Sequence, residues 1–233
     1  MKNYNFKSGC LICGNPIIIQ DKESEHICSI CNNKFTSSTI CSQGHYICDN
    51  CHTNTYEFVN LLLDSNEVDP MKLFLQIENL ESVHMHGPEH HSIVPCVLLT
   101  AYKNCGGNID LSSAIETALI RGKQVPGGIC GFWGTCGAAI GAGIYGSIVT
   151  NSSPLNKESW HKPQKLVARV INRISQENAL RCCKRTSRHS ILESIEWTKE
   201  FLGIHLGESN FSCTLYSNNK ECLHENCPFY TKK

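Results

Sequence analysis

This 233-residue chain lacks net charge: 21 Lys and Arg balance 21 Asp and Glu. Without an excess of either sign, nothing global directs it to nucleic acid or to an anionic membrane surface. A spanning segment is lacking too. The stretch from Gln124 to Asn156 carries no charge and is long enough to cross a bilayer. But Pro126 and Pro154 break it, glycine crowds it, and it holds almost no Leu or Phe. It reads as a buried helix flanked by loops, so no membrane partner is expected. A secretory leader is not expected, because Met1–Lys7 runs into a Cys-x-x-Cys with no apolar core.

Cysteine is abundant, at 16 residues. In a small secreted protein that count would predict disulfides. Here no leader precedes the cysteines, and most come in metal-like pairs. The expectation is a cytoplasmic protein that keeps thiolates for metals and redox work. The length suits one large domain or two smaller ones.

Residues 1–52 read as a small metal-binding module. Cys10-x-x-Cys13 and Cys28-x-x-Cys31 stand 14 residues apart, the two-knuckle spacing of a zinc ribbon. Pro16–Ile19 between them reads as a strand. Cys41-x3-His45-x2-Cys48-x2-Cys51 then follows with RING-like spacing. Seven Cys and one His complete two four-ligand sites, holding one or two zinc ions as a staple for a domain with little core. An interaction platform and a rubredoxin-type iron centre are the alternatives. Whether the ligands divide sequentially or interleave is not legible.

Residues 53–207 turn helical. Tyr56–Leu63 is a short helix, and Asp69-Pro70 caps another running to about Leu80. His84-Met-His-Gly-Pro-Glu-His-His91 places four His in eight residues at the start of a helix to about Asn104. His91 shares a face with Val94, Leu98, Tyr102 and Cys105, and His90 sits on its shoulder. Both read as ligands or acid–base groups, or else as capping and core histidines. Cys96 and Cys105 read as small buried hydrophobes. Asp110 caps a helix that Gly122 ends.

Gly127 to Ile144 packs seven Gly, one Trp and two Cys into 18 uncharged residues. Cys130 is expected on a loop. Cys136 is expected in the first turn of a helix to about Val149, where the helix dipole favours thiolate. Gly137/Gly141 and Ala138/Ala142 would let another helix approach closely. Gly141–Gly146 matches G-x-G-x-x-G, but no strand precedes it, so a dinucleotide site is rejected. A helix from Trp160 to Ile174 follows. Cys182-Cys183 then lies between Arg181 and Lys184-Arg185, which should make the thiols acidic and the cations available to an anionic substrate. Ser190-x-x-Glu193 reads as a capping box, placing the pair just before a helix that ends near Gly203. Residues 161–190 hold eight Lys and Arg against Glu177 alone, while residues 53–120 are acidic. The two could pack together, or the basic segment could meet RNA. Residues 208–233 form a Cys-rich tail in which Cys213, Cys222 and Cys227 are candidate ligands for zinc or an iron–sulfur cluster.

These motifs together resemble the DUF5714 domain proteins of methanogens and anaerobic bacteria. The resemblance rests on the N-terminal knuckles, Gly44-His45-Tyr46-x-Cys48-Asp49-x-Cys51-His52, His86–His91, Val125–Ala139, Cys182–Arg185 and the tail cysteines. A more distant likeness is to the redox proteins named for a C-GCAxxG-C-C pattern. The resemblance implies an anaerobe's protein and, as a partner, a SAM-dependent methyltransferase or radical-SAM protein. It implies no activity. The expected fold is mainly α, with a Gly-rich central helix behind a zinc-ribbon or RING-like module. The expected function is metal- and thiol-dependent redox chemistry. Cys130, Cys136, Cys182, Cys183, His90 and His91 would meet in one pocket, and Lys184 and Arg185 would orient the substrate. A docking module and a sulfur transferase are the alternatives.

Overall fold

The structure is a computed structural model that describes residues 9–52 and 56–230, so the leader reading on Met1–Lys7 lies outside it. The N-terminal part is an antiparallel hairpin of β1 (Ile17–Ile27) and β2 (Lys34–Cys41), with Ile17 opposite Cys41 and Ile27 opposite Lys34. The open end of the hairpin sets Cys10 and Cys13 beside Cys41 and His45. Its turn carries Cys28 and Cys31, and the chain after His45 folds back to bring Cys48 and Cys51 to them. The ligands therefore interleave. Helix α1 (Asp49–His52) closes the second group.

This part has almost no apolar core. Its buried hydrophobic residues are Leu11 and four cysteines, Cys10, Cys28, Cys41 and Cys48, while Ile18, Ile19 and Ile27 face solvent.

The rest is helical, as the patterning predicts. Helices α2 (Tyr56–Leu63), α3 (Pro70–Ile77), α4 (His90–Asn104), α5 (Leu111–Lys123), α7 (Gly137–Val149), α8 (His161–Ser175) and α9 (Cys183–Leu202) surround one apolar cluster running from Phe58 to Leu206, to which the short α6 (Ile129–Phe132) adds no residue. The Asp69 carboxylate accepts from Met71 and Lys72 N–H and starts α3 as expected. α4 and α7 lie at the centre of the bundle. A Cβ on Gly141 would stand 2.8 Å from the His91 carbonyl oxygen, so glycine sets how closely these two helices approach.

Two helix boundaries differ from expectation for physical reasons. Gly122 does not end α5. It is a packing position, where a Cβ would meet the Ser92 hydroxyl of α4 at 2.4 Å. Nor does Ser190 start α9. Its hydroxyl donates back to the Thr186 carbonyl at 2.8 Å, well inside a helix that begins at Cys183. The last segment returns along the bundle, with Gly207 N–H bonded to the Val68 carbonyl and Cys213 N–H to the Phe229 carbonyl. Among the described residues, no helix is long and apolar enough to cross a membrane.

Candidate metal and thiol centre

The two N-terminal quartets are gathered to ligand distance. Cys10, Cys13, Cys41 and His45 form one, and Cys28, Cys31, Cys48 and Cys51 the other; within each group the ligand atoms lie within 4.8 Å of one another. Cys13 Sγ is 3.5 Å from Cys41 Sγ, Cys10 Sγ is 3.8 Å from His45 Nδ1, and Cys31 Sγ is 3.9 Å from Cys48 Sγ. Thiolates about 2.3 Å from a tetrahedral ion stand roughly 3.8 Å apart. The spacing therefore fits one metal ion, such as zinc, in each group. N–H donors also face the sulfurs: Gln43 N–H on Cys41 at 3.3 Å and Cys48 N–H on Cys28 at 3.4 Å. Such bonds orient metal-bound thiolates.

Between this module and the helices lies a cavity of about 690 Å³. Cys130, Cys136, Cys182, Cys183, His90 and His91 all line it. The reason they meet is architectural: α4, α7 and α9 all point their N-termini at the cavity. His90 opens α4, Cys136 is the N-cap of α7, and Cys182 is the N-cap of α9 with Cys183 as its first residue. The positive ends of three long helices favour anionic groups there. Cys130 sits in the short α6 and is exposed. Asp49 of α1 accepts from Gly127 N–H at 2.7 Å and ties the Gly-rich loop to the second quartet.

Each histidine is held in one tautomer. His90 Nδ1 donates to the Gly87 carbonyl at 3.0 Å, and His91 Nδ1 donates to the Val125 carbonyl at 3.0 Å. A carbonyl can only accept, so both neutral rings present an unprotonated Nε2. The His90 Nε2 is buried and, among the described residues, has no hydrogen-bond partner. Gly137 leaves room for the other ring, because a Cβ there would meet His91 Nε2 at 2.1 Å. Burial holds both histidines below the usual range, with the Lys184 charge adding to the effect on His90.

The expected acidity of Cys182 and Cys183 is not found. Enclosure raises both thiols, Cys183 to about 12, against a lowering hydrogen bond from the Gly87 backbone. The neighbouring cations are engaged elsewhere. Lys184 is buried, donates to the Glu78 carbonyl at 3.5 Å, and does not line the cavity. Arg185 does line it, but its guanidinium pairs with Glu177 at 2.5 Å and donates to the Leu180 carbonyl at 2.8 Å. Arg188 makes a buried two-pronged pair with Glu78 at 2.6 and 2.7 Å. At that point the basic segment packs against the acidic one, the simpler of its two readings.

In the tail, Cys213 is buried with Cys182, Met85, Leu215 and Phe229, Cys227 packs beside them, and the Cys222 sulfur accepts from His224 N–H. Among the described residues, the three do not gather into a group at single-ion spacing.

One group escaped the sequence reading. His52, His84 and Glu89 bring their ligand atoms within 4.8 Å of one another. Glu89 is fully buried; burial opposes its ionisation, but His52 and hydrogen bonds from His52 and His84 outweigh that and hold it well below the usual carboxylate range. His52 follows the last cysteine of the second quartet directly, and that adjacency was the available signal.

A family model described as a family of unknown function (DUF5714) matches residues 58–230. The chain belongs to that family. The matched DUF5714 span contains the cavity thiols, His84, Glu89, His90, His91 and the tail cysteines, and it begins after both N-terminal quartets. No curated protein and no solved structure matches the chain.

Proposed function

We propose that this DUF5714 protein is a metal- and thiol-dependent redox protein whose reaction centre is the cavity. One convergence carries the reading. Four thiols and two imidazoles from three helix N-termini and the short α6 line a single cavity. Both imidazoles point a carbonyl-fixed tautomer's bare nitrogen away from the fixing bond. Soft sulfur donors with neutral imidazole suit iron–sulfur ligation, which accepts both.

Bound there, a cluster would supply one-electron transfer. The protein's own part is to place positive helix ends around a thiolate-rich group and to wall it from water. The two quartets hold zinc in this reading, and the Asp49 bond to Gly127 makes the second quartet part of the cavity wall.

The test is iron, zinc and acid-labile sulfide content of anaerobically purified protein, with a visible spectrum. The expected result is iron and sulfide in similar amounts with visible thiolate-to-iron absorption. Both should vanish in the Cys130→Ser/Cys183→Ser double variant while zinc stays. Colourless wild-type protein carrying zinc alone overturns the proposal.

A further inference from the structure

We propose that His52, His84 and Glu89 form a third metal site, mononuclear and opening onto the cavity, for a divalent cation of the zinc or ferrous type. The site is separate from the cysteine quartets and does not depend on the cavity thiols.

Geometry is the first ground. His52 Nδ1 lies 3.1 Å from one Glu89 oxygen, and His84 Nδ1 lies 3.7 Å from the other. Donors about 2.1 Å from a tetrahedral ion stand roughly 3.4 Å apart, and the two distances bracket that value. A hydrogen bond explains the shorter distance. The longer one exceeds hydrogen-bond range but fits two ligands of one ion.

Charge is the second ground. Glu89 is wholly buried, and among the described residues its ion pairs within 4.0 Å are all with histidines, while the Lys184 charge acts on it from farther off. A buried carboxylate needs a cation. His52, whose pKa Glu89 raises against the effect of burial, supplies that charge as the chain stands, and a divalent ion held by both imidazoles would take over the role.

Space is the third. A Cβ on Gly87 would meet a Glu89 oxygen at 2.1 Å and His52 Cε1 at 2.4 Å, so only glycine lets the ring and carboxylate approach. His52 and His84 line the cavity and Glu89 stands behind them. Three protein ligands with one side towards a cavity is the arrangement of a catalytic metal, which keeps a position for water or substrate. Two His and one carboxylate suit zinc and also the non-haem ferrous sites.

The site spans two parts of the chain. His52 belongs to the helix that closes the second quartet, while His84 and Glu89 precede α4. Metal at this point would lock the module over the cavity.

The experiment counts metal on the full chain by native mass spectrometry, after saturation with zinc alone and, separately, with anaerobic ferrous iron. The expected result is one divalent equivalent beyond the two quartets and any iron–sulfide. It should be absent from His52→Ala and Glu89→Gln, both of which keep the quartet zinc. His52→Ala is the variant that tolerates folding best, because that side chain is partly exposed on a four-residue helix. Filling by either ion supports the site. Wild-type protein filled by neither, or a His52→Ala protein with the wild-type count, overturns it. Loss of the thiol-bound iron in Cys130→Ser/Cys183→Ser with this equivalent retained would separate the two proposals.

Discussion

The quartets and the cavity use the same donors, cysteine and histidine, and are built in opposite ways. Each quartet is made of turns. Two ligands sit three or four residues apart, and a hairpin brings two such turns together. The cavity takes its donors from the starts of α4, α7 and α9 and from α6, segments brought together only by packing of the bundle. A quartet has little apolar core to hold it, whereas the cavity exists because the core does. The burial pattern says the same. In residues 9–52 the buried hydrophobic residues are nearly all cysteine, while residues 58–206 share one continuous apolar cluster.

Metal removal should break this comparison open most visibly. Structural zinc in small modules is worth about 10–16 kcal/mol of apparent binding free energy, all of it folding free energy where little core exists. Chelation of the full chain should therefore unfold residues 9–52 and leave the helices standing. Limited proteolysis should cut the hairpin, while far-UV circular dichroism keeps most of its helical signal. Concerted loss of both would show that the helices depend on the module.

A second, smaller effect belongs to the bundle alone. Glu78→Gln removes one half of the buried Arg188 pair and leaves a buried guanidinium unmatched. Such breakage costs about 3–5 kcal/mol. Replacing both, as Glu78→Met/Arg188→Met, should recover most of that loss, because two apolar side chains leave no charge behind. Urea unfolding of the three proteins checks this, and a double variant as weak as the single one would mean the pair positions something further.

These differences explain what could be read in advance. The quartets were legible because a Cys-x-x-Cys turn is a local device, although their interleaving waited for the β1–β2 register. The helix start at Pro70 was legible from Asp69, whereas Cys136, expected in the first turn of its helix, is the N-cap one residue before it. Residue type singled out Cys130, Cys136, Cys182, Cys183, His90 and His91, but the cavity they line is made by helix packing that no local spacing encodes. The acidity expected of Cys182 and Cys183 failed because flanking charge in sequence is not flanking charge in space: Lys184 and Arg185 turn to Glu78 and Glu177. Gly122 and Ser190 misled because a punctuating residue can be used for packing or for a backbone bond inside a helix. The His52–Glu89 contact spans 37 positions, beyond the reach of any spacing rule.

The smallest effect concerns pH, at a histidine that is not itself a candidate ligand. His189 is buried against Phe229 and its Nε2 meets Glu177 at 2.7 Å. Burial lowers the ring below its ordinary 6.5, Glu177 opposes this, and Arg173 and Arg185 add to it. Below about pH 6.5 the unfolded chain then binds a proton that the folded chain refuses. Stability must fall as pH drops through that value, and this residue's share ends once pH passes below the folded pKa. His189→Gln removes the titrating ring. Its urea midpoint should start lower at about pH 7.5 and fall less steeply towards about pH 5.5 than that of the wild type. The other buried histidines keep the slope from vanishing. An unchanged slope would mean that burial and Glu177 cancel at His189, and a steeper fall in the variant would mean that Glu177 prevails and the folded chain holds the proton.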